Sequence, residues 1–214
     1  MNADLFVRSL CFIAIYIGFT IISAGYGDTL LAVSSILMKL LMIFSYFTDG
    51  FAYAGEALVG RYIGARNRTM MLQAVKWTFV WSMAIALIFM GIYYFAGVPM
   101  LQLMTSDTIV VDASREYLPW LLLMPVVGCA AFTWDGIFIG ATASRQMRDS
   151  MLWAVVGFVV VWAVGILVLQ QVAPGSERYG NIAMHVLMAA YFAHLLARTV
   201  YLSLKYRSVI PKNL

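Results

Sequence analysis

Six stretches of about 20 residues or more run through this chain almost without charge: roughly 5–24, 29–60, 72–96, 117–141, 151–172 and 181–204. A helix needs about 20 mainly apolar residues to cross the hydrocarbon of a bilayer. In 82–98 and 152–172 the apolar residues run all round the helix instead of keeping to one stripe, the pattern of a helix facing lipid. A soluble domain of this size needs about a quarter of its residues charged to cover its surface. Here only 11% of the 214 residues are charged and 63% are hydrophobic. The reading is an all-α membrane protein with six transmembrane helices in a single unit, 1–214.

The breaks between the runs carry loop chemistry. Gly25-Tyr26-Gly27-Asp28 and Ala173-Pro174-Gly175-Ser176 are turn clusters, while Arg66-Asn67-Arg68 and 145–149 are polar connectors. The mixed segment 98–116 is expected to lie along the interface before the next span. The first run imitates a signal peptide, with Ser23-Ala24-Gly25 resembling a cleavage site. Asp4 precedes its first basic residue, however, and the apolar run is too long for such a leader.

Positive charge alternates between the two sets of loops. One set holds Arg61, Arg66, Arg68 and Lys76, then Arg145 and Arg148, then Lys205, Arg207 and Lys212. The other holds only Arg115 and Arg178, beside Asp28, Asp107, Asp112, Glu116 and Glu177. The basic side is expected at the cytoplasm, with both termini there. The formal charge of +4 is thus a matter of topology, and nucleic acid is not an expected partner. Cys11 and Cys129 both lie inside apolar runs, which leaves no disulfide or zinc framework.

An ionisable group at mid-membrane costs at least about 2.5–3.5 kcal/mol, so it normally faces a cavity or a partner. Lys39, Asp49, Glu56 and Asp135 stand out on this ground. Asp49 and Glu56, seven residues apart with Tyr53 between them, share one helix face. Gly60 continues that face and forms G-x-x-x-G with Gly64, while Gly136 and Gly140 form a second such pair; small residues at this spacing let helices approach closely. Asp135 lies about 15 Å along a helix from the basic loop at Arg145, deep enough to serve as a proton carrier or as a structural hydrogen-bonding group. Glu56 equally suits a bond to a neighbouring helix end, and Lys39 suits snorkelling toward the headgroups. His194 and Arg198 share a face of the last span. Candidate cavity lining is Lys39, Tyr46, Tyr53 and Trp134, within an aromatic-rich stretch that also holds Phe44, Phe47 and Phe51.

The run Ser45-Tyr46-Phe47-Thr48-Asp49-Gly50-Phe51-Ala52-Tyr53-Ala54-Gly55-Glu56-Ala57-Leu58-Val59-Gly60-Arg61-Tyr62-Ile63-Gly64-Ala65 resembles a helix of the multidrug and toxic compound extrusion (MATE) transporters, in the branch called DNA-damage-inducible protein F. Trp134-Asp135-Gly136-Ile137-Phe138-Ile139-Gly140-Ala141-Thr142, with Arg145 and Arg148-Asp149 after it, resembles the family's tenth helix and its loop. The resemblance covers essentially the whole chain and aligns it with helices seven to twelve. It implies one lobe of a twelve-helix protein built from two six-helix lobes. Such a protein exports organic, often cationic compounds across the bacterial inner membrane, in exchange for H+ or Na+, by alternating access. It further implies that Asp135, Asp49 and Glu56 serve cation coupling or substrate binding. No cofactor beyond the coupling ion is implied. The acidic residue that some relatives carry in the seventh helix has no counterpart in 5–24. The first lobe, with the first-helix aspartate to which coupling in this branch is ascribed, would have to come from elsewhere.

Two other transport or membrane roles compete. A lipid-linked precursor flippase of related architecture is expected to have a more cationic cavity than the mainly acidic residues named here provide. A non-catalytic membrane scaffold would leave three intramembrane carboxylates unexplained. An enzyme is not expected: there is no phosphate-binding loop for ATP and no visible nucleophile–base pairing or metal motif.

Overall fold

The computed structural model describes residues 2–172 and 178–209. These form seven helices: α1 (Asn2–Ala24), α2 (Asp28–Gly64), α3 (Arg68–Met104), α4 (Thr108–Arg115), α5 (Leu118–Gly140), α6 (Ser144–Val172) and α7 (Tyr179–Val209). All but α4 are long and apolar enough to cross a membrane. The turn cluster 173–176, Glu177 and Lys212 lie outside the described residues.

Several helices run past the apolar stretches that define them in sequence. α3 starts at Arg68 and continues through Pro99 to Met104, because a polar first turn costs a helix nothing where it meets water. The segment 98–116 is therefore divided: its first part ends α3, and α4 follows, capped by Asp107, whose Oδ1 accepts from the Ile109 amide at 2.9 Å. The α2–α3 and α5–α6 corners share one design. Arg66 (φ 51°) and Thr142 (φ 55°) adopt left-handed backbone. The next amides, Asn67 and Ala143, donate back to the Tyr62 and Phe138 carbonyls, each at 2.9 Å, closing a Schellman motif.

Packing centres on α5, which touches α2, α3 and α7, while α6 pairs with α7 and α1 leans on α6. Phe44 meets Phe89 edge-on at 5.5 Å, and buried Tyr93 donates to the Leu40 carbonyl at 2.6 Å, tying α2 to α3. A second apolar cluster joins Val59, Met71, Ile137, Met147 and Leu202. It gathers the end of α2, the starts of α3 and α6, and the ends of α5 and α7. Asp4 of α1 reaches the same end, pairing with Arg148 at 2.6 Å and accepting from Ser144 at 3.2 Å. The basic residues from Arg61 to Arg68, Arg145, Arg148, Lys205 and Arg207 thus share one end of the bundle.

The α2–α5 crossing is set by glycine. A Cβ on Gly136 would lie 2.1 Å from the Ala52 carbonyl oxygen, and one on Gly140 would lie 2.3 Å from that of Glu56. Only hydrogen fits in those gaps. Gly60 also belongs to this contact, since its Cβ would stand 3.2 Å from the Gly140 carbonyl oxygen. Gly64 does not: nothing lies within 4 Å of its Cβ position, because α2 has by then passed the end of α5. The expected Gly60–Gly64 packing pair is therefore replaced by Gly60 alone.

Candidate functional site

The Gly136 contact draws the backbones of α2 and α5 together and leaves Asp135 and Asp49 on the walls of one cavity of about 370 Å³. Arg8, Ser9, Phe12 and Ile13 of α1 form one side, Met42, Ser45, Tyr46 and Asp49 of α2 another, and Phe132, Asp135 and Arg198 the floor. The mouth lies between α1 and α2, where Ile13 and Tyr46 are exposed.

Asp135 does not stand alone. Its Oδ2 accepts from Nη2 of both Arg8 and Arg198, while Oδ1 carries no hydrogen bond among the described residues. The side chains are 13% exposed at Asp135, 24% at Arg8 and 2% at Arg198. Hydrogen bonds in which both partners are charged are about twice as strong as neutral ones. In a low-dielectric interior such charges persist only as a paired set. Arg198 lies 5.9 Å over the Phe132 ring, yet its Nη1 is buried with no hydrogen-bond partner. One turn earlier, His194 is buried with neither ring nitrogen bonded. Asp49, half-buried on the facing wall, makes no hydrogen bond or ion pair among the described residues.

Of the residues singled out from the sequence, the cavity brings together Asp135, Asp49 and Tyr46. The others lie outside its lining. Glu56 sits where α2 crosses Gly140, two turns beyond Asp49. Lys39 and Tyr53 are exposed on α2. Trp134 is buried on the far side of α5, its indole donating to Ser203 Oγ at 2.9 Å with Phe79 edge-on at 4.7 Å. Neighbours in a helix point about 100° apart, so Trp134 and Asp135 face different surroundings. Phe44, Phe47 and Phe51 pack against Phe89 and Trp81. Sequence reasoning missed Arg8, and it noted Arg198 without giving it a partner. The signal existed: each is a cation inside an apolar run, and a membrane-buried cation demands an acid.

A bundle of six long apolar helices with a charge-paired cavity opening on one side has the architecture of a polytopic membrane transporter. Comparison with known proteins makes the class specific. The MatE family model matches residues 5–167, and the chain belongs to that family. It is 38% identical over 158 residues to DNA damage-inducible protein F of Escherichia coli K12, covering 74% of this chain and 34% of that protein. It is 25% identical over 197 residues to the probable multidrug resistance protein NorM of Photorhabdus laumondii, covering 90% of this chain and 42% of that one. The fold matches an outward-facing multidrug resistance MATE family transporter of the MOP superfamily with a TM-score of 0.78 at 14% identity, over 96% of this chain and 43% of the other. It also matches a MOP superfamily transporter from Pyrococcus furiosus, whose binding pocket is described as reversed in polarity, with a TM-score of 0.76 at 14% identity and the same coverage. The chain therefore spans between a third and a little under half of the length of these proteins. It is a multi-pass membrane protein of a transporter family.

Proposed function

We propose that this chain is one six-helix lobe of a multidrug-type efflux antiporter, exporting organic compounds in exchange for H+ or Na+ by alternating access. Its termini lie at the cytoplasmic face of a bacterial inner membrane, and a second six-helix lobe supplies the facing wall. The observation that carries this reading is the cavity itself. Charged groups are costly at membrane depth, yet four of them border a single opening between α1 and α2. Asp49, with no hydrogen bond or ion pair among the described residues, is the carboxylate open to a coupling ion. Asp135 must leave two arginines before it can exchange one.

The arginines also favour a second reading. With Arg8 and Arg198 the cavity holds as many positive as negative groups, so its charge no longer argues against a flippase of lipid-linked precursors.

Alternating access needs two lobes that rock around a shared site. Expressed alone, the chain should insert without exporting a fluorescent drug from cells. Co-expression with a matching six-helix half should restore export. Export by the monomeric chain alone would defeat the proposal.

A further inference from the structure

The cluster at the cavity floor has too few acceptors for its donors. Each guanidinium carries several N–H donors and no acceptor, yet Arg8 and Arg198 share a single carboxylate oxygen, Oδ2 of Asp135. Nη1 of Arg198 is buried and unsatisfied, a state that costs free energy until an acceptor arrives. Arg8 is the accessible member, with a quarter of its side chain open (24%). On the α1 and α7 side a cation would face two guanidinium groups that share one carboxylate, and Asp49 would attract it only on the α2 side. An acid group would face the opposite field. Beside Ser9, Ser45 and Tyr46, the lining includes the apolar side chains Phe12, Ile13, Met42 and Phe132. Asp49, across the cavity on α2, repels an anion from its own side and steers it toward α1 and α7.

We infer that this cavity binds amphipathic anions, with the acid group of the ligand held by Arg8 and Arg198 and its apolar body against Phe12 and Phe132. The inference rests on the transport-cavity reading above but not on which ion drives the cycle. Asp135 then acts as the resident competitor: it satisfies the arginines in the empty site and yields them, in part, to the ligand.

The test uses the full chain in phosphatidylcholine nanodiscs, with empty discs as baseline. The probes are an anilinonaphthalene sulfonate and a trimethylammonium analogue on the same ring system, measured by equilibrium dialysis. The sulfonate should bind at least about tenfold more tightly than the ammonium, the scale of a hydrogen bond to a charged group. Arg8→Gln should remove that preference and Arg8→Lys should restore part of it. Asp135→Asn should strengthen sulfonate binding, because the competitor loses its charge; a purely structural Asp135 would give unchanged or weaker binding. Should Asp135→Asn fail to fold, the Arg8 pair decides the matter. Phosphatidic acid added to the discs distinguishes the source of the anion: displacement of the sulfonate points to a lipid headgroup, persistence to a soluble acid. Tighter binding of the ammonium, or unchanged sulfonate binding in Arg8→Gln, would overturn the inference while leaving the cavity reading intact. Binding of neither probe would overturn both.

Discussion

Asp135 and Asp49 hang from two helices whose backbones cross at glycine contacts, and they border the same cavity. Their surroundings are nevertheless opposite. Asp135 is held by two arginines from α1 and α7; Asp49 has no hydrogen bond or ion pair among the described residues. The difference teaches that depth in the membrane does not by itself identify the exchangeable carboxylate. A buried acid held by two cations must be released by them before it can take up another partner, whereas we propose that Asp49, with no hydrogen bond or ion pair among the described residues, is the one open to an ion.

The largest expected effect lies on the Asp135 side. Asp135→Leu leaves two cations without their carboxylate, and breaking a buried pair in this way costs about 3–5 kcal/mol. Thermal unfolding of the detergent-solubilised protein should show a large loss or no folded protein; a melting point like wild type would mean that the arginines find other partners. Next comes the crossing that brings the two acids together. Gly136→Ala places a methyl group against the Ala52 carbonyl, and overpacking of this kind costs about 1–3 kcal/mol. The same assay checks it, and Gly64→Ala, where the space is open, should fall within about 0.5 kcal/mol of wild type. Equal effects at Gly136 and Gly64 would dissolve the α2–α5 crossing as described.

A smaller structural effect is expected at Asp49. Asp49→Asn breaks no hydrogen bond or ion pair among the described residues and should also stay within about 0.5 kcal/mol, so any loss of transport belongs to function. The orientation can be checked separately by labelling from outside intact cells. A cysteine placed at Asp112, on the acidic end, should react, and one at Asn67, on the basic end, should not. The reverse pattern would sink the charge argument.

Much of the fold was legible because lipid imposes a simple rule: each span shows itself as a long, mainly apolar run. The glycines at 136 and 140 announced a close contact, though not the helix they would meet. The cavity was legible only in part. Asp49 and Asp135 are visible as costly charges, but the two arginines that hold Asp135 lie 127 and 63 residues from it in sequence, a pairing that helix periodicity cannot express. Trp134 shows the opposite failure, since adjacency to Asp135 in sequence places it on another face of α5. Tyr53 and Glu56 share a stripe with Asp49, but the cavity ends before it reaches them.

The most direct test of the central claim is uptake of a fluorescent amphipathic substrate into inverted membrane vesicles, driven by a pH gradient. It should be made with the completed two-lobe protein at equal protein level. The account predicts that Asp49→Asn, on the cavity wall, loses most substrate-coupled exchange. It predicts that Glu56→Gln, on the same helix face but outside the cavity, retains most of it. Full activity in Asp49→Asn with loss in Glu56→Gln would contradict the account and move the working site two turns along α2.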